Sequence, residues 1–290
     1  MAISTSSRPP VPAQYGRLPH VRVSQVVLHL LYVGWSVLAI IPFVWMVFAS
    51  FKPFKELMSS RDFFPHTWTL QAYETILGRI NFLAAFANSL LVATTVTVAV
   101  LLTSSAMGFI FAKYRFPGKE QLFVALLATM MVPFAVVMVP LYVAIARLGL
   151  ANQLAGIMVT GICSTFGIFM MRQFMESVPD ELIDAARIDG ASEWRIFFTL
   201  ILPLSGAPLA ALAVFIFLGN WDSLLWPLIV LSSPDKQTLP LILAGLRNVY
   251  WTRYELYSAG TMLTVLPVMI LYAFASRYFI KGLAMTGMKL

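Results

Sequence analysis

The sequence predicts an all-α membrane protein, with six transmembrane helices and a cytoplasmic helix-turn-helix between the fourth and the fifth, on three observations. Apolar residues make up 59% of the 290-residue chain and charged residues only 11%, far from the roughly 45–50% and 25% of soluble domains. The apolar residues gather into six long runs, close to or beyond the ~20 residues that cross a bilayer as a helix. Between the fourth and fifth runs lies a charged segment whose apolar positions recur with helical period.

The first 25 residues carry Ser4, Ser6, Ser7, Pro9, Pro10 and Pro12 among Arg8, Arg17 and Arg22, a composition that fits a disordered tail. The run from Val26 to Phe48 is too long for a signal-peptide core and has no small-residue cleavage site behind it, so it is expected to stay as a membrane anchor. The other runs are Leu83 to Ala112, Leu122 to Ala146, Leu154 to Met171, Leu204 to Leu231 and Ser258 to Ser276. Pro133, Pro140, Pro208, Pro227 and Pro267 lie within them and should kink their helices, because each removes a backbone donor. Residues 26–276 are thus expected to be one membrane domain, and 277–290 a tail with Arg277, Lys281 and Lys289.

A formal charge of +7 raises nucleic acid as a partner. The basic residues, however, sit between apolar runs and form no continuous stripe interleaved with aromatics, so they read as topology signals beside membrane lipid. Lys113, Arg115 and Lys119 mark the loop after the second run as cytoplasmic. Both termini and the segment from Arg172 to Thr199 then share that side, although the excess of basic residues there is small. Cys163 is the single cysteine, so no intrachain disulfide or multi-cysteine metal site exists. His29, His66 and Asn88 stand alone beside spans, as packing or interfacial residues usually do.

Residues 177–203 should form two short helices. Ser177 followed by Asp180 reads as a capping box, with Pro179 in the first turn. Asp189-Gly190 supplies the break, and Ser192 can cap a second helix that places Trp194, Phe197, Phe198 and Ile201 on one face. Periodicity alone equally fits an interfacial amphipathic helix with no partner. Asp222 is the sole acid inside a predicted span, where a carboxylate costs roughly 2.5–3.5 kcal/mol at the centre of a lone helix. It should face the bundle interior, where Asn220, Trp221 and Trp226 beside it suit a sugar pathway of stacking rings and hydrogen-bonding groups. An aromatic-belt role for Trp226 is the competing reading.

Asp184-Ala185-Ala186, then Gly190 after three residues, Leu200 after nine more, and Leu202-Pro203 resemble the EAA loop of binding-protein-dependent transporter permeases. Asp184 stands for the usual Glu and Leu200 for Ile. The likeness extends to the carbohydrate branch, in particular its smaller, maltose-transporter-type permease. It is carried by Ser50-Phe-Lys-Pro53, Tyr114 to Lys119, Phe166 to Phe174, Trp221 to Leu231, Lys236 to Leu241 and Arg277 to Leu283. In the fifth run the family shows Trp-Asn followed by an acid, whereas here Trp221-Asp222-Ser223 offsets the carboxylate by one position.

The resemblance implies a permease subunit of an ABC importer in a bacterial or archaeal inner membrane, forming half of a pathway for a sugar or sugar phosphate. Its implied partners are a second homologous permease, two ATPase subunits that use ATP and magnesium, and an external solute-binding protein. Asp184, Ala185, Ala186, Asp189, Gly190, Leu200, Leu202 and Pro203 would couple it to the ATPases. The chain binds no cofactor of its own on this reading, the tail after Ser276 reaches toward the ATPases, and the loop from Ser232 to Tyr257 meets the binding protein. No phosphate-cradling G-x-x-x-x-G-K-[ST], H-E-x-x-H or G-x-S-x-G pattern is present, so hydrolysis is not assigned to this chain.

Two other functions compete. An ion-driven secondary transporter would use Asp222 as its proton or cation site, but it requires paired broken helices in inverted repeats, and no second carboxylate-bearing span matches the fifth. An intramembrane enzyme needs a nucleophile with a base or metal ligands at depth, and Cys163 has no His or carboxylate near it in sequence.

Overall fold

The computed structural model describes residues 23–246 and 253–286. Every regular element among them is helical. Four stretches, Gln25–Ser50, Phe82–Lys113, Leu154–Glu176 and Tyr254–Ala273, are long and apolar enough to cross a membrane, and the number rises to six if each of two bent helix pairs is one span. The chain falls into two compact units, Met1–Trp45 and Met46–Leu290. Most of α1 (Val23–Ser50) belongs to the first. Leu30, Trp35 and Leu38 on its different faces are all exposed, as in a helix solvated by lipid. The expected disordered tail lies almost wholly outside the described residues.

In the second unit, α2 (Phe54–Ser59) and α3 (Gln71–Arg79) frame a loop folded over Lys52. That lysine is 1% exposed, and its ammonium donates to the Asp62 carbonyl at 2.5 Å. Phe48 packs edge-on against Phe63, Phe64 and Trp68 above it. His66 contacts the Asp62 carboxylate at 2.8 Å, a local clasp.

The centre of the unit is α4 (Phe82–Lys113). Asn88 on it donates to the Asp235 and Gln237 carbonyls, each at 3.0 Å, so this residue ties helices together, as its lone position suggested. Along the second half of α4, Ser104, Ser105 and Gly108 are small, and α8 (Thr165–Glu176) lies close against them. A Cβ built on Gly108 would stand 2.6 Å from the Cβ of Met171 and 3.0 Å from the Arg172 backbone nitrogen. Small residues of this kind let two spans approach where lipid gives no hydrophobic drive for association.

The third apolar run is not one straight span. It is α5 (Lys119–Ala128) with a 3-10 turn to Met131, then α6 (Phe134–Arg147), and the two pieces meet at 100°. The break falls at Pro133, whose ring holds Val132 in extended backbone. Pro140 and Pro267, by contrast, lie inside α6 and α15 (Tyr254–Thr286). The fourth run pauses between α7 (Leu154–Gly161) and α8. Arg172 of α8 reaches Glu120 of α5 at 3.0 Å and Glu176 at 2.8 Å, with its guanidinium 3.8 Å over the Phe123 ring. These contacts fasten the first arm of the bent pair to α8.

The fifth run also differs from expectation. Its helix, α12 (Gly206–Trp221), ends at Trp221, and a short α13 (Leu225–Val230) follows after a break. The break falls at Asp222-Ser223-Leu224, a polar interruption too short to stand out from the apolar residues on either side when hydropathy is averaged over the ~20 residues of a span. Pro227 is harmless in the first turn of α13, where backbone donors have no helical partner. Beyond a 3-10 turn at Pro234–Lys236 comes α14 (Leu239–Leu246). Trp251, expected at the binding-protein surface, lies outside the described residues. The backbone of α15 stays helical to Thr286, past the expected span end at Ser276.

Candidate functional site

Residues 177–203 fold as a bent pair of limbs. The first limb is α9 (Asp180–Ile188) and the second runs through α10 (Glu193–Ile196), a π-helical turn (Phe197–Ile201) and α11 (Leu202–Leu204). Ser177 does not cap α9. Its backbone is still helical, and its hydroxyl donates to the Phe174 carbonyl at 2.7 Å, closing α8. Pro179, with φ near −60°, starts α9 instead.

The turn between the limbs is a Schellman motif. Ala191 N–H donates to the Ala186 carbonyl and Gly190 N–H to the Arg187 carbonyl, both at 3.0 Å, the pairing that closes a helix when the residue after its cap is left-handed. Gly190 supplies that conformation at φ +79°, which costs an L-residue about 1–2 kcal/mol. Ser192 caps the second limb as its position predicts, its hydroxyl accepting from Arg195 N–H at 3.4 Å.

Charged groups clamp the limbs. The Arg187 guanidinium reaches Glu193 at 2.8 Å and Asp184 at 3.1 Å, and the Tyr114 hydroxyl donates to the other Glu193 oxygen. Arg187 and Tyr114 hold the Glu193 carboxyl below the usual range, while burial and Glu193 push the Tyr114 phenol up to about 12. A depressed carboxyl contributes stability above its ordinary pKa and loses it as pH falls through the lowered one. The Glu193 part of the clasp is therefore in place at neutral pH and weakens as the carboxyl protonates in acid. Lys113, at the end of α4, donates to the Val178 carbonyl at 2.5 Å and pairs with Asp180 at 2.7 Å.

The expected stripe of Trp194, Phe197, Phe198 and Ile201 divides. Phe197 and Ile201 are buried with Ile183, Ile196, Phe109, Met171 and Met175, but Trp194 is 73% and Phe198 50% exposed, stacked on each other 6.2 Å apart. The split arises on regular helical spacing: the buried arc is centred on Ile196 and Phe197, and Trp194 and Phe198, one turn apart, lie more than about 100° away from it. Leu200 and Leu202 pack partly against the same core, and Pro203 sits in the first turn of α11. Asp184, Ala185, Asp189 and Gly190 are exposed.

Ile188, which the sequence reading passed over, is 87% exposed beside them. Its signal was available: with Ile183 buried, a residue five positions on lies about 140° round the helix. The bend thus presents two large apolar side chains, Ile188 and Trp194, beside small and acidic ones.

The four residues expected along a pathway do not converge. Trp221 is fully buried, stacked on Phe217 and edge-on to Phe86, with its indole N–H donated to the Thr264 carbonyl at 3.3 Å. Asp222 caps the end of α12 and is exposed, not set inside a helix. Asn220 and Trp226 do share a cavity of about 380 Å³, with Phe134, Thr160 and Ser223 also on its wall. The Trp226 indole donates to the Thr160 hydroxyl at 3.0 Å. Thr160 sits inside an apolar run, and nothing in the sequence set it apart.

Comparison with known proteins bears on this geometry. Residues 104–284 match the family described as binding-protein-dependent transport system inner membrane component. The chain is 38% identical to the arabinooligosaccharides transport system permease protein AraQ of Halalkalibacterium halodurans, across 92% of this chain and 99% of that one. It is 35% identical to the lactose transport system permease protein LacG of Rhizobium radiobacter, across 85% and 90%. It is 34% identical to the sn-glycerol-3-phosphate transport system permease protein UgpE of Pectobacterium atrosepticum, across 68% and 70%. In structure it is similar to a chain of a bacterial ABC transporter involved in the import of the acidic polysaccharide alginate. There the TM-score is 0.82 at 22% identity, over 90% of this chain and all of that one, a likeness of fold.

Proposed function

Because the chain belongs to the binding-protein-dependent transport system inner membrane components, we propose that it is a permease subunit of an ATP-driven sugar importer that takes its thrust through the bend at Gly190. Sugar is favoured by the relatives named for arabinooligosaccharides and lactose, and the glycerol-phosphate relative keeps a sugar phosphate as the second reading. In this role the chain binds no nucleotide. A second permease completes the pathway, two ATPase subunits use ATP and magnesium, and an external solute-binding protein delivers the cargo. Residues 177–203 and both termini then face the cytoplasm.

The observation that carries the proposal is the clamped bend itself. Asp184, Ala185, Asp189 and Gly190 stand exposed at its apex with Ile188 and Trp194, while Phe197 and Ile201 anchor it in the core of α4 and α8. A rigid knob with apolar anchors and a polar surround suits a cleft on another protein. Purification of the tagged full chain from its native host is expected to recover a second permease and two ATPase subunits with it. A transport-competent homodimer without any ATPase would reject the reading.

For the cargo, the Asn220 cavity is the place to look. The Asn220 amide donates to the Ile216 carbonyl at 2.8 Å, which leaves its oxygen to accept from a hydroxyl, and Trp226 and Phe134 offer ring surface. Asn220→Ala is expected to raise the half-saturating sugar concentration about two- to tenfold, the worth of one net hydrogen bond, with the complex intact. Unchanged uptake kinetics would remove the cavity from the pathway.

A further inference from the structure

A second cavity, of about 430 Å³, opens where α4 meets the second limb of the bend. Its wall is almost wholly apolar: Ala106, Phe109 and Ile110 from α4, Phe116 from the following loop, and Trp194 and Phe197 from the limb. Tyr114, Arg115 and Glu193 supply the polar groups of the lining. Of these, Glu193 is already engaged by Arg187 and Tyr114, so its charge is met. Arg115, also in the lining, is exposed and makes no ion pair among the described residues; it helps to lower the Asp180 carboxyl, but that carboxylate is in contact with Lys113. The cations around it are spoken for: Lys113 holds Asp180, and Lys119 donates to the Tyr114 carbonyl at 3.1 Å.

The cavity continues an exposed apolar surface of α4. Val98 and Leu102 on α4 are half exposed, and Ile110 is 40% exposed. With Ala106 between them, they are spaced four apart along the second half of the helix, which places successive side chains one above another on a drifting track. That track runs down the span and ends in the cavity, at the level where the apolar run gives way to Lys113 and Arg115. An apolar slot entered from the hydrocarbon, with an unpaired guanidinium and an indole at its mouth, has the chemistry of a phospholipid site. The acyl chain takes the slot and the anionic headgroup takes the arginine.

We propose that the cavity between the end of α4 and the Trp194 limb holds one anionic phospholipid, with its phosphate on Arg115 and an acyl chain along Phe109, Ile110 and Phe197. The lipid fills a void beside the bend and props the limb that carries Trp194. The inference does not depend on the identity of the cargo, but it requires that the chain spans a bilayer and that a subunit seated on the bend at Trp194 leaves the cavity open to lipid.

The test uses the full chain, purified with whatever subunits accompany it, in nanodiscs of phosphatidylcholine doped with phosphatidylglycerol that carries a photoreactive acyl chain. After irradiation, mass spectrometry is expected to place the label on peptides spanning 106–116 and 193–198. Phosphatidylglycerol should exceed an equally photoreactive phosphatidylcholine about fivefold there, the effect of one basic side chain at a membrane surface. Arg115→Gln should bring the two lipids level at that site, and Ala106→Leu, which narrows the slot, should lower labelling by both. Arg147→Gln, an exposed cation elsewhere, should change nothing. Equal labelling in the unaltered chain, or retained preference in Arg115→Gln, overturns the proposal. So does loss of the label on adding excess inorganic phosphate, which marks a free-anion site, or absence of label because another subunit covers the cavity.

Discussion

Gly190→Val leaves the chain inserted and assembled but lowers ATP-driven uptake at least about tenfold, because the turn it occupies is left-handed and a β-branched side chain is a genuine outlier there. The space around Gly190 is open, with nothing within 4 Å of an added Cβ, so the whole effect is conformational. A valine forces φ away from +79°, breaks the bonds from Gly190 and Ala191 to the Arg187 and Ala186 carbonyls, and swings α9 off α10. Gly190→Asn serves as the control, since asparagine visits the left-handed region readily and should keep most of the uptake. The measurement is binding-protein-dependent uptake alongside ATPase rate in proteoliposomes. Wild-type uptake in the valine variant, or equal loss in both variants, removes the turn from the coupling role.

Gly108→Val has the second large effect, on folding and not on coupling. A Cβ there meets the Cβ of Met171 and the backbone of Arg172, neither of which can swing aside as a side-chain tip does. Overpacking a close contact costs about 1–3 kcal/mol and sometimes more. Even Gly108→Ala, despite a gain of about 1 kcal/mol in helix propensity, should lower thermal stability in detergent or lipid. Met171→Ala should not rescue it, because alanine keeps the offending Cβ. Full rescue by that second change, or unaltered melting of Gly108→Val, means that α4 and α8 do not pack this closely in the membrane.

These two glycines also mark how far sequence reading reaches. Gly190 and Ser192 were legible because caps and turns are decided within a few residues, and the EAA spacing lies in the same stretch. Gly108 was not, since nothing local says which helix lies against α4. Pro133 announced a kink, but the 100° angle depends on Arg172, Glu120 and Phe123 fastening one arm to α8. Trp194 and Phe198 do lie within one turn of each other, but the side that packs inward is centred on Ile196 and Phe197, and periodicity alone does not say which flank of an apolar stripe is buried. Asp222 reads as lying inside a span because a run averaged over ~20 residues absorbs the short polar break at Asp222-Ser223, where the helix in fact stops.

The corner at Ser205 has a mechanical meaning of its own. The limb Glu193–Leu204 and α12 meet there at 78°, across a single residue whose hydroxyl donates to the Ile201 carbonyl at 2.8 Å. They form the two arms of a crank. The longer arm, the 16 residues of α12, is about 24 Å long. A rotation of about 5° at the elbow therefore sweeps the Asn220 end through about 2 Å, enough to widen or pinch a cavity on the scale of a sugar ring.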